Sequence, residues 1–294
     1  MNRLKATLTI ALLLILISLQ SLDAEGQTAV SATRIRGLVL SDDNKPLPQA
    51  LVAVFGPKGF RARLRTDSSG RFDLAVNRQG SYIIYVGIDD PETPGIDYVP
   101  SVWQTYVQMG SISSYTFVLE KGASLYIEGG IWFIEKSRPA DFYKFTVVNP
   151  DGSSLGGSSI RVYGSGSDIT KRLGLSPELV IVPANRDVAI SVYAKVDQVA
   201  HSFLMRGEKG YFRLSQGEAL HVDVRPDNLK FNLEVVRSML DSAFNLLMDA
   251  EAAGFLVAVE RSALWRAYGE MESAFALLKK GSYDESFAEL RSAY

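Results

Sequence analysis

Short apolar or alternating runs, separated by turn-forming clusters, fill the chain from Thr33 to about Leu119. The runs that predict strands are Ile35–Leu40, Leu51–Phe55, Arg61–Thr66, Arg71–Val76, Tyr82–Ile88 and Ser114–Leu119. Clusters rich in Gly, Pro, Asn, Asp and Ser lie between them, and no helical period of adequate length interrupts them. The pattern predicts a β-sandwich over residues 34–120, preceded by a linker at residues 25–33.

The same kind of pattern continues and predicts a second β-sandwich over residues 121–226. Its strand candidates are Leu125–Ile127, Ile131–Ile134, Tyr143–Val148, Ile160–Tyr163, Leu179–Val182, Ala189–Ala194, Tyr211–Leu214 and His221–Val224. A shift of 108 residues places Val39-Leu40 on Val147-Val148 and Asp43-Asn44 on Asp151-Gly152. The second segment therefore reads as a diverged copy of the first, which favours two tandem sandwiches over one large barrel.

The apolar period changes to three or four after Pro226. A first helix carries Leu233, Val236, Leu240, Phe244 and Leu247 on one face, and a second carries Leu264, Tyr268, Met271, Phe275 and Leu278. Gly254 separates the two helices, and Gly281 ends the second. Ser282–Glu285 is a capping box that predicts a third helix.

Residues 227–294 are thus predicted to form a small helical hairpin or bundle. The chain stops at Tyr294 inside a helical pattern without a C-cap signal, so we expect the natural chain to continue or another element to complete the bundle. The predicted fold class is mainly β with an α tail: two tandem β-sandwich domains, prealbumin-like or Ig-like, followed by helices.

Four stretches of the first segment resemble the carboxypeptidase regulatory-like family. They are Arg36–Val39, Pro46–Val54, Thr66–Leu74 and Gly80–Tyr82, within a likeness that covers about Thr33–Leu119. The resemblance implies a transthyretin-like β-sandwich, a fold grouped with carbohydrate-binding-like folds. It implies no peptidase activity, since the zinc-binding catalytic domain that accompanies such a domain in metallocarboxypeptidases is missing from this sequence.

The most specific part of the resemblance is the turn Thr66–Phe72. Asp67 can bond to its own backbone, Gly70 can adopt a positive φ, and Phe72 then re-enters the core. These three residues are interpreted as a structural turn without catalytic chemistry.

The first 24 residues are typical of a secretory signal peptide. Arg3 and Lys5 precede an apolar run, and polar residues follow it before Ala24. The alternative is an uncleaved membrane anchor. The uncharged stretch Ala6–Leu22 counts 17 residues, fewer than the roughly 20 that an anchor needs.

Composition restricts the possible chemistry. The 31 basic and 33 acidic residues nearly balance, which argues against nucleic acid as the main partner. The chain has no cysteine, which excludes disulfides, thiolate metal sites and cysteine nucleophiles. With only two histidines, no catalytic residue and no cofactor is predicted.

Three local patterns could still carry chemistry. Gly152–Gly156 matches the nucleophile-elbow motif with Asp197 and His201 downstream, but a strand rather than a helix is predicted after it. His201 and His221 fit no metal-ligand spacing. Loop oxygens at Asp42–Asn44 and Asp89–Glu92 leave calcium binding open, although solvated turns are the favoured interpretation because no EF-hand motif is present.

The long connection Asp89–Gln104 is the candidate ligand loop. Tyr98, Trp103 and Tyr106 could offer flat aromatic faces to a sugar ring. The competing and favoured interpretation is that these rings fold back into the core.

Together these patterns predict an extracytoplasmic, non-enzymatic modular protein, secreted or attached to the cell surface. It would serve as a scaffold, a spacer, or an adhesion or recognition module. Its expected partners are other cell-surface proteins or glycans, with membrane association through an uncleaved N-terminal segment or a missing C-terminal anchor. The alternatives are a carbohydrate-binding accessory module that uses the Tyr98–Tyr106 loop and, least favoured, an unrecognised hydrolase.

Overall fold

The computed structural model describes residues 32–155, 176 and 178–294. The predicted signal peptide, most of the predicted linker and the predicted strand Ile160–Tyr163 lie outside the described residues. In the described part, strands come first and α-helices follow, so the predicted fold class of a mainly β protein with an α tail is confirmed.

The first sandwich contains seven strands. They are β1 (Arg34–Ser41), β2 (Leu51–Phe55), β3 (Arg61–Arg65), β4 (Arg71–Ala75), β5 (Gly80–Gly87), β6 (Ser101–Val107) and β7 (Ile112–Leu119). One sheet has the order β4–β1–β7 and the other has the order β3–β2–β5–β6. Because alternate side chains point inward, Ile35 and Val39 of one sheet meet Val52, Val54 and Ile84 of the other in a single core.

The second sandwich begins directly after the first. Its strands are β8 (Gly122–Glu128), β9 (Trp132–Phe133), β10 (Arg138–Pro139), β11 (Phe142–Val148), β12 (Leu179–Pro183), β13 (Ala189–Val196), β14 (Val199–Met205) and β15 (Ala219–Asp223). Two sheets, β12–β8–β15 and β11–β13–β14, enclose a second core that includes Leu125, Val180, Ile190, Val192 and Met205.

The two sandwiches share one pairing scheme. In each, the first strand runs parallel to the last and antiparallel to another, as β1 does with β7 and β4, and as β8 does with β15 and β12. In each, a hairpin packs beside an antiparallel neighbour, β5–β6 beside β2 and β13–β14 beside β11. The topology therefore makes β8 the counterpart of β1, and β11 the counterpart of β2.

This correspondence corrects the alignment by 108 residues, which placed the end of β1 on the end of β11. The two aligned segments nevertheless contain the same kind of hydrogen-bonded turn. The amide of Ser41 donates to the carbonyl of Lys45 at 2.8 Å, and the amide of Asn149 donates to that of Ser153 at 2.9 Å. The alignment by 108 residues therefore detected a turn that recurs after two strands that are not equivalent. The rest of that alignment, which begins at Ile160, lies outside the described residues.

Three strands, β6, β10 and β14, were not predicted from the sequence, and one predicted strand is absent from the described residues. β6 lies partly in the predicted connection Asp89–Gln104, and its apolar residues come in adjacent pairs that break the alternation. β14 follows β13 through a two-residue turn in which Asp197 has a φ of 52°. The predicted strand Tyr211–Leu214 is reduced to a single bridge between Val188 and Phe212.

The tail contains three helices: α1 (Arg225–Ala252), α2 (Ala258–Lys279) and α3 (Tyr283–Ala293). Gly254 and Gly281 end α1 and α2 with positive φ angles of 90° and 78°. At the second end, the amides of Gly281 and Ser282 donate to the carbonyls of Leu278 and Leu277, which is a Schellman motif.

The third helix starts where the capping box predicted, but the side chain of Ser282 makes no capping hydrogen bond. Apolar faces of the three helices enclose a third core around Val236, Leu240, Leu278 and Leu290. Among the described helices, none is both long and apolar enough to span a membrane.

Candidate functional site

The three predicted ligand aromatics do not form one platform. Trp103 and Tyr106 lie in β6, an edge strand, and their spacing of three places them on opposite faces. Trp103 is 40% exposed beside Tyr115, with ring centroids 6.2 Å apart, and Tyr106 is 59% exposed. Tyr98 packs against the first core and bridges to Lys121. Trp103 lies opposite the buried Ile84, on the face of the sheet that covers the core. Folding back onto the core thus describes Tyr98, describes Trp103 in part at the sheet edge, and does not describe Tyr106.

The connection before β6 is a joint between the sandwiches. The amide of Gly95 donates to the carbonyl of Gly217 at 2.9 Å, and the amide of Ile96 donates to the buried hydroxyl of Ser124 at 2.9 Å. Gly122 donates to the carbonyl of Asp97 at 2.8 Å. This segment, residues 89–100, is called the joint loop below.

Apolar contacts and carboxylates stiffen the joint loop. Its residues Ile96 and Val99 form a small core with Leu179 and Ile181 of the second sandwich. The Asp97 carboxylate accepts from the amide of Asp90 at 2.7 Å and from the hydroxyl of Thr93 at 2.8 Å. Burial, followed by the charge of Asp97, raises the pKa of Asp89 above its ordinary value. The Asp97 carboxylate is therefore used in hydrogen bonds within the joint loop.

The predicted turn at Thr66–Phe72 has the geometry that its residues suggest. Oδ1 of Asp67 accepts from the amides of Ser69 at 2.8 Å and Arg71 at 2.9 Å. These bonds lower the pKa of Asp67, and the bond from the amide of Arg71 has the largest effect. Gly70 has a φ of 73°, and a Cβ there would lie 2.6 Å from the carbonyl oxygen of Val39. Phe72 is buried in the first core.

The elbow-like motif does not assemble a nucleophile and a base in the described residues. Ser154 bridges to Val148, and its carbonyl accepts from the side chain of Asn149 at 2.9 Å. His201 bonds to Glu135 instead, at 2.7 Å. Gly156 and the strand predicted after it lie outside the described residues.

Each histidine lies within a strand and contacts one carboxylate. Nε2 of His201 in β14 lies 2.7 Å from Oε1 of Glu135, and its ring stacks on Phe133 at 4.7 Å. Nδ1 of His221 in β15 lies 2.6 Å from Oε1 of Glu128. No group of three or more potential metal ligands occurs in the described part of the chain. The predicted oxygen-rich loop at Asp42–Asp43 is paired with Lys121, 3.1 Å from Asp43.

Sequence reasoning missed the most highly organised site, where α1 meets the second sandwich. Residues 129–141, called the insert below, connect β8 to β11 and contain β9, a 3-10 turn and β10. Asn228 accepts from the amide of Trp132 at 2.8 Å and donates to its carbonyl at 3.1 Å. Asn232 accepts from the amide of Ile134 at 3.1 Å and donates to the carbonyl of Trp132 at 3.0 Å.

Both asparagines are almost fully buried, so these bonds are shielded from water. Ile134 itself enters the helical core. The only signal in the sequence was a pair of amides four residues apart on a helix, and their partners lie about a hundred residues away.

A crevice of about 250 Å³ opens beside this junction, between the insert, α1 and α3. Trp132 and Phe287 form its aromatic wall, with ring centroids 5.4 Å apart. The Arg225 guanidinium lies 5.0 Å from the ring centroid of Tyr283 and is paired with Asp223 at 2.8 Å. The arrangement can hold apolar or aromatic groups, but it places no nucleophile beside a base.

No family model matches the sequence, and no curated protein matches it. Solved structures do show similarity. The Bacillus anthracis TIE protein is 16% identical over 66% of this chain and 34% of its own, with a TM-score of 0.28. BcpA, the major pilin subunit of Bacillus cereus, is 12% identical over 58% of this chain and 67% of its own, with a TM-score of 0.26.

A third similar structure is the shaft pilin SpaA of Lactobacillus rhamnosus GG, 10% identical over 65% of this chain and 96% of its own, with a TM-score of 0.24. This chain spans about a third of the length of the TIE protein. At these TM-scores the similarities transfer no activity or partner to this chain. The resemblance of Thr33–Leu119 to the carboxypeptidase regulatory-like family is supported at the level of a β-sandwich.

Proposed function

We propose that this protein is an exported, non-enzymatic scaffold whose two sandwiches form a rigid spacer that holds the helical tail in a fixed orientation. The observation that carries the proposal is the construction of the two junctions. The joint loop bonds the sandwiches through backbone groups and the buried Ser124. Asn228 and Asn232 bond the tail to the insert in the same way.

Buried hydrogen bonds of this kind define one geometry, because any other arrangement leaves a polar group unsatisfied at a cost of about 1–3 kcal/mol each. A flexible linker would instead be polar, exposed and free of tertiary bonds. Export and the extracytoplasmic location rest on the signal-peptide pattern of residues 1–24.

The non-enzymatic part of the proposal rests on where the reactive groups lie. Each imidazole is bonded to a glutamate and stacked on an aromatic ring, His201 on Phe133 and His221 on Tyr126. Ser154 contributes to a turn. Among the described residues, no hydrogen bond joins either imidazole to a hydroxyl, so neither histidine forms a nucleophile–base pair there.

The rigid junction can be tested with two spin labels, since the natural chain has no cysteine to interfere. Labels at Ser202→Cys in β14 and Ser242→Cys in α1 report the distance between the second sandwich and the tail. We expect one narrow distance distribution by electron–electron double resonance. Replacing Asn232→Ala in the labelled protein should broaden it, because the amide of Ile134 and the carbonyl of Trp132 lose their partner.

Asn245→Ala is the matched control, since Asn245 is an exposed asparagine of the same helix. It should leave the distribution narrow. A broad distribution in the protein that retains Asn232 would contradict the rigid scaffold.

Glycan binding is a second candidate function, favoured by one observation. Trp103 is exposed at the sheet edge beside Tyr115, and the Tyr115 hydroxyl shares a hydrogen bond with Thr105. Tyr115 also lines an open groove that contains Arg36 and Asp73. An aromatic face beside charged hydrogen-bonding groups suits a sugar ring.

The test is a glycan array with Trp103→Ala, which should abolish binding without lowering the melting temperature. Tyr106→Ala is the control, because Tyr106 lies on the opposite face of β6. Binding that depends on neither residue, or no binding at all, would reject this candidate.

A further inference from the structure

We propose that the exposed face of the α1–α2 hairpin binds a second copy of this chain about a two-fold axis. This face, called the open face, is formed by residues of α1 at helical spacing: Lys230, Leu233, Glu234, Arg237, Asp241, Phe244 and Met248. From α2 it receives Trp265, Tyr268, Met271 and Phe275. Residues spaced by three and four lie on one side of a helix.

The third helix does not cover the open face. It packs on the other side of the hairpin, where the hydroxyl of Ser286 donates to the carbonyl of Ala274 at 2.7 Å and Leu290 is fully buried. Large apolar side chains of the open face consequently remain in water: Trp265 at 60% exposure, Phe275 at 48%, Met248 at 46% and Phe244 at 37%. Contiguous apolar surface of this kind marks interaction sites.

The two helices present these side chains as one surface. The rings of Phe244 and Trp265 lie 6.5 Å apart, and the hydroxyl of Tyr268 donates to Asp241 at 2.7 Å. Near the sandwich, a groove of about 400 Å³ separates Leu233 from Met271 and Phe275. From Lys230 to Met248 the face extends for about 27 Å, at about 1.5 Å per residue.

The order of apolar and charged groups along the open face indicates that its occupant is a second copy of this chain. Leu233, Met271 and Phe275 form an apolar patch near the sandwich, and Phe244, Met248 and Trp265 form a second patch towards the tip. Arg237 and Asp241 lie between the two patches. No ion pair of Arg237 occurs within the described residues, and Asp241 bonds only to a neutral tyrosine there.

A two-fold axis between Arg237 and Asp241 satisfies the two central charges and both apolar patches. It places Arg237 of each copy opposite Asp241 of the other, and each near patch opposite a tip patch. A two-fold interface must be self-complementary, and this order of apolar, positive, negative and apolar groups meets that requirement. The product is an antiparallel four-helix arrangement.

The inference rests on the proposed scaffold in one respect, because the rigid junction fixes the direction in which each open face points. The two proposals fail separately. The spin-label distance tests the junction within one chain, and the association state tests the open face.

Sedimentation velocity over about 1–100 µM protein, a range that spans ordinary homodimer affinities, should show a monomer–dimer equilibrium. Trp265→Glu should weaken the dimer by about 30-fold or more, the effect of losing one central aromatic anchor. Leu246→Glu is the matched control: Leu246 is 71% exposed on the same helix as Phe244 but lies on the opposite side. It should leave the dimer unchanged, and circular dichroism checks that both variants fold.

Charge reversal tests the axis itself. Arg237→Asp and Asp241→Arg should each weaken self-association by about tenfold, because like charges then face each other. Mixing the two variants should restore a dimer, since every interface pair is again of opposite sign. Failure of the mixture to associate more tightly than either variant alone would overturn the proposed axis.

A protein that stays monomeric at about 100 µM would overturn the proposal. Loss of the dimer in Leu246→Glu with retention in Trp265→Glu would overturn it as well. Co-sedimentation of a monomeric protein with phosphatidylcholine vesicles would assign the apolar surface to lipid instead.

Discussion

The two sandwiches share one strand pairing scheme and differ in what joins their first two structurally equivalent strands. In the first sandwich, a short turned segment that contains Leu47 and Ala50 leads from β1 to β2. In the second, the insert lies between β8 and β11 and adds β9, a 3-10 turn and β10. Trp132 and Ile134 of this insert are the groups that Asn228 and Asn232 recognise. The helices follow β15 directly along the chain, and the insert gives them a docking surface on the second sandwich.

In this protein, the packed cores determine the fold of each sandwich, and the connections between strands determine how the sandwiches and the helices are joined. The joint loop of the first sandwich and the insert of the second each form a junction. The hydrogen bonds described for the two junctions join uncharged groups, so salt should screen them little.

Removing the anchor of the insert should have the largest effect. Ile134→Ala deletes a buried side chain from the helical core and should lower the free energy of unfolding by about 2–5 kcal/mol. Hydrogen exchange should show lost protection in α1 and α3, with β1–β7 unaffected. Ile112→Ala, at a half-exposed isoleucine of β7, should change stability by less than about 0.5 kcal/mol. Equal loss of hydrogen-exchange protection in both sandwiches would contradict the view that the insert supports only the second sandwich and the tail.

Overpacking the first sandwich should destabilise that sandwich and leave the helical tail unaffected, the reverse of what is expected for Ile134→Ala. In Gly37→Ala the new Cβ would lie 2.1 Å from Cε1 of the buried Phe72 ring, which cannot move freely. We expect a loss of about 1–3 kcal/mol, as is usual when a methyl group is forced into a packed core. Calorimetry and hydrogen exchange should place the loss in β1, β4 and β7, while the tail keeps its protection. Destabilisation that reaches α1 equally would show that the two sandwiches unfold as one unit.

The smallest predicted effect concerns two turns held by an aspartate side chain, at Asp67 in the first sandwich and at Asp151 in the second. Asp151 accepts from the amide and hydroxyl of Ser153, as Asp67 does from Ser69, and these bonds lower the pKa of both carboxyls. A lowered folded-state pKa contributes stability above the unfolded value of about 3.9, and this stability is lost as pH falls through the folded value. Asp67→Asn and Asp151→Asn should thus lower the melting temperature at pH 7, and the difference should shrink below about pH 4.

Asp67→Asn should show the larger change, because Asp67 also accepts from the amide of Arg71. Melting curves between pH 2.5 and 7 measure both. A difference that grows as pH falls would contradict the assigned sign.

Much of the fold could be predicted from the sequence, because it depends on local periodicity. Most strands of the first sandwich and the three helices follow from apolar spacing, and Gly254 and Gly281 mark helix ends through a conformation that glycine adopts readily. The prediction failed at β6, where adjacent apolar residues break the alternation, and at β10 and β14. It also failed at Tyr211–Leu214, where an apolar run forms only one bridge.

The candidate site was less accessible to sequence reasoning. Tyr98, Trp103 and Tyr106 were grouped because they are close along the chain, yet the pleat of β6 separates the last two. Asn228 and Asn232 gave no signal beyond their spacing of four on a helix, because an amide gains its role only from the backbone group that it meets.

Local pattern and composition were enough for most of the strands, the three helices, the turn at Asp67, the balance of charge and the lack of thiol chemistry. These properties depend on residues within a few positions of one another or on composition alone. Only the tertiary structure decided the junctions, the partners of the two histidines and the uncovered face that contains Arg237 and Asp241. The reason is physical: burial and hydrogen bonding between residues about a hundred positions apart depend on how the cores pack, and no local pattern encodes that packing.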